Sequence, residues 1–186
     1  MPAGAGRLGF WYLNQQGQTE INFLADWMIL TYTFIDGRDL DTRTKMISPD
    51  GGGDYVGWGR DNTQAGILTW GGDNTGTGVE SVLVGIGGFR SLYPGVDTIT
   101  IDCRCMWYSQ VGYQPVVLSA KLYRGGGMIR NGYTWDPLEP EATFNLNSQG
   151  KVISYHSTSS SDNGYHFSNI TYNVNTGIGI INILDI

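Results

Sequence analysis

"VDTITIDCRCMWY", residues 96 to 108, decides the fold. Ile99, Ile101, Cys103, Cys105 and Trp107 alternate with Thr98, Thr100, Asp102 and Arg104. A period of two places the first set on one face of a strand. That face is expected to meet a core, with Asp102 and Arg104 paired on the wet face. "PVVLSAKLY" (115–123) repeats the pattern, with Val116, Leu118, Ala120 and Leu122 inward. "ADWMILTYTF" (25–34) does so through Met28, Leu30, Tyr32 and Phe34, and "VLVGI" (82–86) reads as a further buried strand. "VGWGRDNTQAGILTW" (56–70) predicts two short strands joined by an Asp-Asn turn. No eleven-residue window carries a helical period. Short strands at regular spacing predict an all-β protein, a β-sandwich.

The composition agrees. Gly at 28 of 186 residues is roughly twice the ordinary frequency, and charged residues at 15% fall well short of the usual quarter. Low charge, abundant Gly and 12% aromatics point to strands broken by frequent turns. The length suits one domain with extensions: an arm at 1–23, a sandwich core at 24–135, and strands at 136–186 that complete the sandwich or dock on a neighbour. "GIGIINILDI" (177–186) is an Ile-rich segment of low charge, suited to pairing with a sheet edge. Phe10, Trp11 and Tyr12 in the arm also need a surface to bury against. Partners are therefore expected through residues 1–23 and 178–186, and the domain is expected to fold without residues 1–20 and 178–186.

A net charge of −6 and a pI near 4.7 argue against binding nucleic acid through its phosphates, which requires a Lys/Arg surface. No apolar stretch is long enough to cross a bilayer as a helix. "MPAGAGRLGFWYLNQQGQ" lacks the basic and apolar regions of a secretory signal, so folding in a cytoplasm is expected. Cys103 and Cys105 lie i, i+2 on one strand face, where a bridge would distort the strand, and are expected to be buried free thiols.

Asp39 and Asp41 in "GRDLDTRT" (37–44) share the same i, i+2 spacing. In an extended segment both carboxylates project from one face, roughly 7 Å apart at the backbone. Like charges that close repel unless a cation sits between them. Calcium, which takes six to eight oxygen ligands, meets that need. "WGGDNTGTGVES" (70–81) offers more oxygens: Asp73, Asn74, the Thr75 hydroxyl, freed carbonyls and Glu80. Its spacing fails the EF-hand pattern, so a site would have to be built from two segments.

An Asp-Leu-Asp at a strand end, an aromatic-Asn hairpin and then Gly-Asp-Asn-x-Thr-Gly resembles the TerD-like tellurium-resistance and stress-protein family. Here the elements are Asp39-Leu40-Asp41, "VGWGRDNTQAGILTW" and "GGDNTGTGVES", the last with one residue fewer between Asn74 and Gly76. The likeness spans about residues 26 to 124. It implies a calcium-binding β-sandwich with cation roles for Asp39, Asp41, Asp73, Asn74 and Glu80. The family usually follows the loop with an acidic run, of which only Glu80 remains, so one or two ions are implied. "LTYTFIDGRDLDTRT" and "WGGDNTGTGVES" are also similar to segments of tailed-bacteriophage virion proteins.

No enzyme is indicated. His156 and His166 lie in a Ser-rich region without a nucleophile elbow, and there is no Walker loop or dinucleotide fingerprint. Two carboxylates adjacent on one strand suit clamping a cation better than flanking a glycosidic bond. The expected role is a calcium-stabilised structural subunit or adaptor of a bacteriophage virion, contacting other copies of itself or other virion proteins. The alternatives are a cytoplasmic calcium-binding stress domain and a carbohydrate-binding module.

Overall fold

A computed structural model describes residues 17 to 184, with the backbone alone for 147 to 149. In chain order the strands are β1 (Gln18–Asn22), β2 (Trp27–Phe34), β3 (Leu40–Ser48), β4 (Val56–Gly57), β5 (Thr63–Gln64), β6 (Leu68–Trp70) and β7 (Gly78–Gly85). A short helix α1 (Ile86–Leu92) follows. Then come β8 (Thr98–Trp107), β9 (Val116–Arg124), β10 (Gly127–Asn131), β11 (Thr134–Leu138), β12 (Ala142–Lys151), β13 (Tyr165–Asn173) and β14 (Ile178–Ile183). One six-stranded sheet runs β1-β14-β13-β8-β3-β4 and the other β12-β9-β2-β7-β6-β5. The protein is an all-β sandwich.

The alternating residues face one another across the sandwich. Ile99, Ile101, Cys103, Cys105 and Trp107 from β8 meet Met28, Leu30, Tyr32 and Phe34 from β2 and Val116, Leu118, Ala120 and Leu122 from β9, all fully buried. Each large aliphatic side chain withdrawn from water in this way contributes about 1.5–3 kcal/mol. Both cysteines are free and buried, and burial pushes the Cys103 thiol up to about 12. Hairpin β10–β11 stands outside the two sheets. It packs Trp135 and Met128 over the outer face of the second sheet, against Ile29, Tyr123 and Trp27.

Several expectations need correction. The two short strands at 56–70 do not form one hairpin across an Asp-Asn turn. β4 pairs with β3 in the first sheet, whereas β5 and β6 pair in the second. The hairpin turn falls at Ala65 and Gly66, both left-handed at φ 52° and 67°. Helix α1 was not visible because it is seven residues long, shorter than the window in which a helical period shows. It is held by burial of Ile86 and Phe89 and by Arg90, which binds the carbonyls of Ala25 and Val174 and the Asp26 carboxylate.

At the chain end, the first of the two expected outcomes is found, a strand that completes the sandwich. β14 is an internal strand, hydrogen-bonded to β13 on one side and β1 on the other, with Ile181 and Ile183 in the core. Residues 18–22 and 178–183 are thus parts of the sheet, and removing 1–20 and 178–186 would take β14 and part of β1 from it, against the expectation that the domain folds without them. Phe10, Trp11 and Tyr12 lie outside the described residues. No described helix is long and apolar enough to cross a membrane.

Candidate metal centre

The β2–β3 connection carries Asp39 to the start of β3, where the Asp39 carbonyl accepts a hydrogen bond from Tyr108 N–H at 3.0 Å. Within β3 the residues alternate. Leu40, Thr42, Thr44 and Met46 turn to the core, where Thr44 Oγ1 is 2.9 Å from the Tyr32 hydroxyl. Asp41 and Arg43 take the opposite face. Both are nonetheless buried, Asp41 to 1% exposure and Arg43 to 0%. Trp58 lies over the Arg43 guanidinium at 5.8 Å and packs edge-on against Tyr108 at 5.5 Å.

The β6–β7 loop brings Asp73 to this pair. One oxygen from each of Asp39, Asp41 and Asp73 lies within 4.8 Å of the others. Two oxygens bound to one calcium at 2.3–2.6 Å can be no more than about 5 Å apart, so the spacing permits a shared ion. No hydrogen-bond partner reaches Asp39 Oδ1, Asp73 Oδ1 or either oxygen of Asp41, although all four atoms are buried. The donor set is all carboxylate, with no His or Cys in the group, which suits a hard cation such as calcium, magnesium or manganese.

The electrostatics follow. Burial raises the Asp39 carboxyl, and Asp73 raises it further. Asp41 is pushed up to about 7 by burial and by Asp39 and Asp73, against the pull of Arg43. Asp73 is raised by burial, with Glu80 and Arg43 opposing. Without a cation, the fold resists ionising all three.

Glu80 and Asn74 are hydrogen-bonded within the fold. Glu80 is fully buried and accepts from Thr42 Oγ1 at 2.5 Å and from Asn74 N–H at 3.1 Å. Burial, with Asp73 and Asp41 nearby, pushes it up to about 8. It ties the loop to β3 beneath the triad. Asn74 folds the loop on itself: Nδ2 donates to the Val79 carbonyl at 3.2 Å, and Oδ1 accepts from Gly76 N–H at 3.2 Å. Thr75 is exposed and stands outside the carboxylate group. Of the four carboxylates among the six candidate ligands, three share one group.

Two residues that sequence reasoning missed complete the surroundings. Arg43 has a visible signal in retrospect, since it follows Asp41 by two and must share its face. Its Nη1 donates to the Thr42 carbonyl at 3.1 Å, yet Nε and Nη2 have no partner. Arg130 reaches the Gly71 carbonyl through Nη2; 59 residues apart in sequence, the two leave no local signal.

No protein-family model, curated protein or solved structure matches the chain. The likeness to TerD-like proteins thus rests on the quoted motifs.

Proposed function

We propose that the protein is a non-enzymatic, calcium-binding β-sandwich in which Asp39, Asp41 and Asp73 hold one ion where the two sheets meet. The observation that carries this reading is Asp41. It is a buried carboxylate with neither oxygen bonded, and a buried guanidinium two residues along its own strand does not close on it. Burying an unpaired charge costs several kcal/mol, and a bound cation removes that cost. Asp41 stands on β3 of the first sheet and Asp73 in the β6–β7 loop of the second, so an ion between them would cross-link the sandwich.

Such an ion is structural, and the quoted likeness to virion segments supports a role as a subunit or adaptor of a bacteriophage particle. Calcium binding to the folded state alone should raise the melting temperature as the ion is added and lower it in chelator. A melting curve indifferent to both would remove the reading. Recovery of the protein in purified particles, rather than only in host cytosol, separates the virion role from that of a cytoplasmic stress domain.

A further inference from the structure

The stretch "WGGDN" (70–74) keeps two glycines immediately before Asp73, and the hairpin β10–β11 shows why. A Cβ on Gly71 would run into the Tyr133 carbonyl oxygen, and one on Gly72 would lie 2.8 Å from Arg130 Nη2. Gly72 also has φ +108°, in a region that L side chains rarely adopt. The backbone that delivers Asp73 is thus pressed against the hairpin tip on one side. On the other, Gly71 N–H donates to the Ser81 carbonyl at 2.8 Å. Arg130 clamps the same point, with Nη2 on the Gly71 carbonyl and Nε on the Gly132 carbonyl at 3.2 Å. The planar guanidinium holds hairpin and loop in one geometry, which a single ammonium cannot do. The body of the hairpin is fixed by Trp135, the cross-strand partner of Arg130, and, farther from the tip, by Met128, against Ile29, Tyr123 and Trp27.

We propose that Arg130 is a positioning residue for the cation site: the hairpin tip fixes the Gly71–Gly72 backbone and thereby sets where Asp73 meets Asp39 and Asp41. This rests on the cation reading above. It makes the hairpin, which carries no ligand itself, a determinant of affinity. Partners that orient metal ligands from outside typically contribute 10- to 100-fold in affinity. Coupling is reciprocal, so the ion should in turn quiet the hairpin tip.

The test is isothermal titration of chelator-stripped full-length protein with calcium, for wild type, Arg130→Ala, Arg130→Lys and Met128→Ala. Melting temperatures in chelator and amide hydrogen exchange at residues 130 to 133 are measured alongside. Arg130→Ala is expected to weaken calcium binding by about tenfold or more with little change in the chelator melting temperature. Arg130→Lys should recover part of that loss. Met128→Ala, which loosens hairpin packing away from Gly71, should lower the chelator melting temperature and leave the affinity within about twofold. Wild-type exchange at 130 to 133 should slow when calcium is added. Wild-type affinity in Arg130→Ala, or parallel losses in Arg130→Ala and Met128→Ala, would overturn the proposal while leaving the cation site standing. No binding by the wild type would overturn both, and the wild-type titration distinguishes that failure from the first.

Discussion

Asp41-Thr42-Arg43 on β3 and Asp102-Cys103-Arg104 on β8 are the same Asp-x-Arg pattern on neighbouring antiparallel strands, with Arg43 opposite Arg104. In each, the Asp and Arg share a strand face, and in each the Asp is nearly inaccessible, at 1% and 4%. Their fates differ. Asp102 Oδ2 takes Arg104 Nε at 2.9 Å and the Tyr55 hydroxyl at 2.7 Å, while Oδ1, 3.0 Å from His166 Nε2, makes no hydrogen bond. Asp41 takes nothing, and it faces two further carboxylates instead. One pair is closed by the protein; the other is held open. A sheet that gives one oxygen of Asp102 two donors on one strand has the means to give Asp41 one, and on the proposed reading the open pair is the place for an exogenous cation.

Replacing each Asp breaks this comparison in opposite directions. Asp102→Ala leaves a partly buried Arg104 without its carboxylate and should lower stability by about 3 kcal/mol, with the calcium response intact. Denaturant unfolding with and without calcium reads both quantities. Equal losses in the two conditions are expected, and a calcium shift that vanished with Asp102 would mean that the two networks are one.

Asp41→Asn should do the reverse. Relieved of repulsion from Asp39 and Asp73, the cation-free variant should melt no lower than wild type. Its calcium-dependent stabilisation, about 2.7 kcal/mol for the wild type at a hundredfold excess over Kd, should be lost. Retention of the full shift would show that the ion binds elsewhere.

A smaller effect concerns pH. Asp41 and Glu80 are held at about 7 and about 8 in the fold, above the ordinary carboxylate values near 4 of the unfolded chain. The folded state therefore binds protons more tightly, and stability without a cation falls as pH rises from about 4 toward 8. Calcium takes the deprotonated form, so its affinity should climb through pH 6 to 8 and flatten the decline. Melting curves in chelator that improve with rising pH over that range would contradict the raised pair.

Least affected is Thr75→Ala. The side chain is exposed and outside the triad, so stability should stay within about 0.5 kcal/mol and calcium affinity should be unchanged by titration. A tenfold loss of affinity would make the hydroxyl a ligand.

The legible part of the molecule was the part that repeats at period two. β8, β9 and β2 show their faces in the order of their residues, and so does the Asp39/Asp41 pair, because alternation is a local consequence of extended backbone. Asp73 was legible as an oxygen in a loop too rich in glycine for a plain turn. The remainder depends on where distant segments land. That Asp102 is covered rather than wet depends on Tyr55 and His166 folding over it. That Glu80 ties the loop to β3 depends on Thr42 facing it across the core. Nothing near Gly71 announces Arg130. That the Ile-rich chain end completes the sandwich was one of its two readings; that β1 covers its edge was hidden, since β1 lies more than 150 residues away in sequence.

The most direct test of the open pair is a crystal structure grown in calcium, with an anomalous difference map to identify the ion. The account predicts one peak among Asp39, Asp41 and Asp73, within about 2.3–2.6 Å of an oxygen from each, with Arg43 still unbonded to Asp41. A map without that peak, and with Asp41 closed onto Arg43 as Asp102 is onto Arg104, would contradict it.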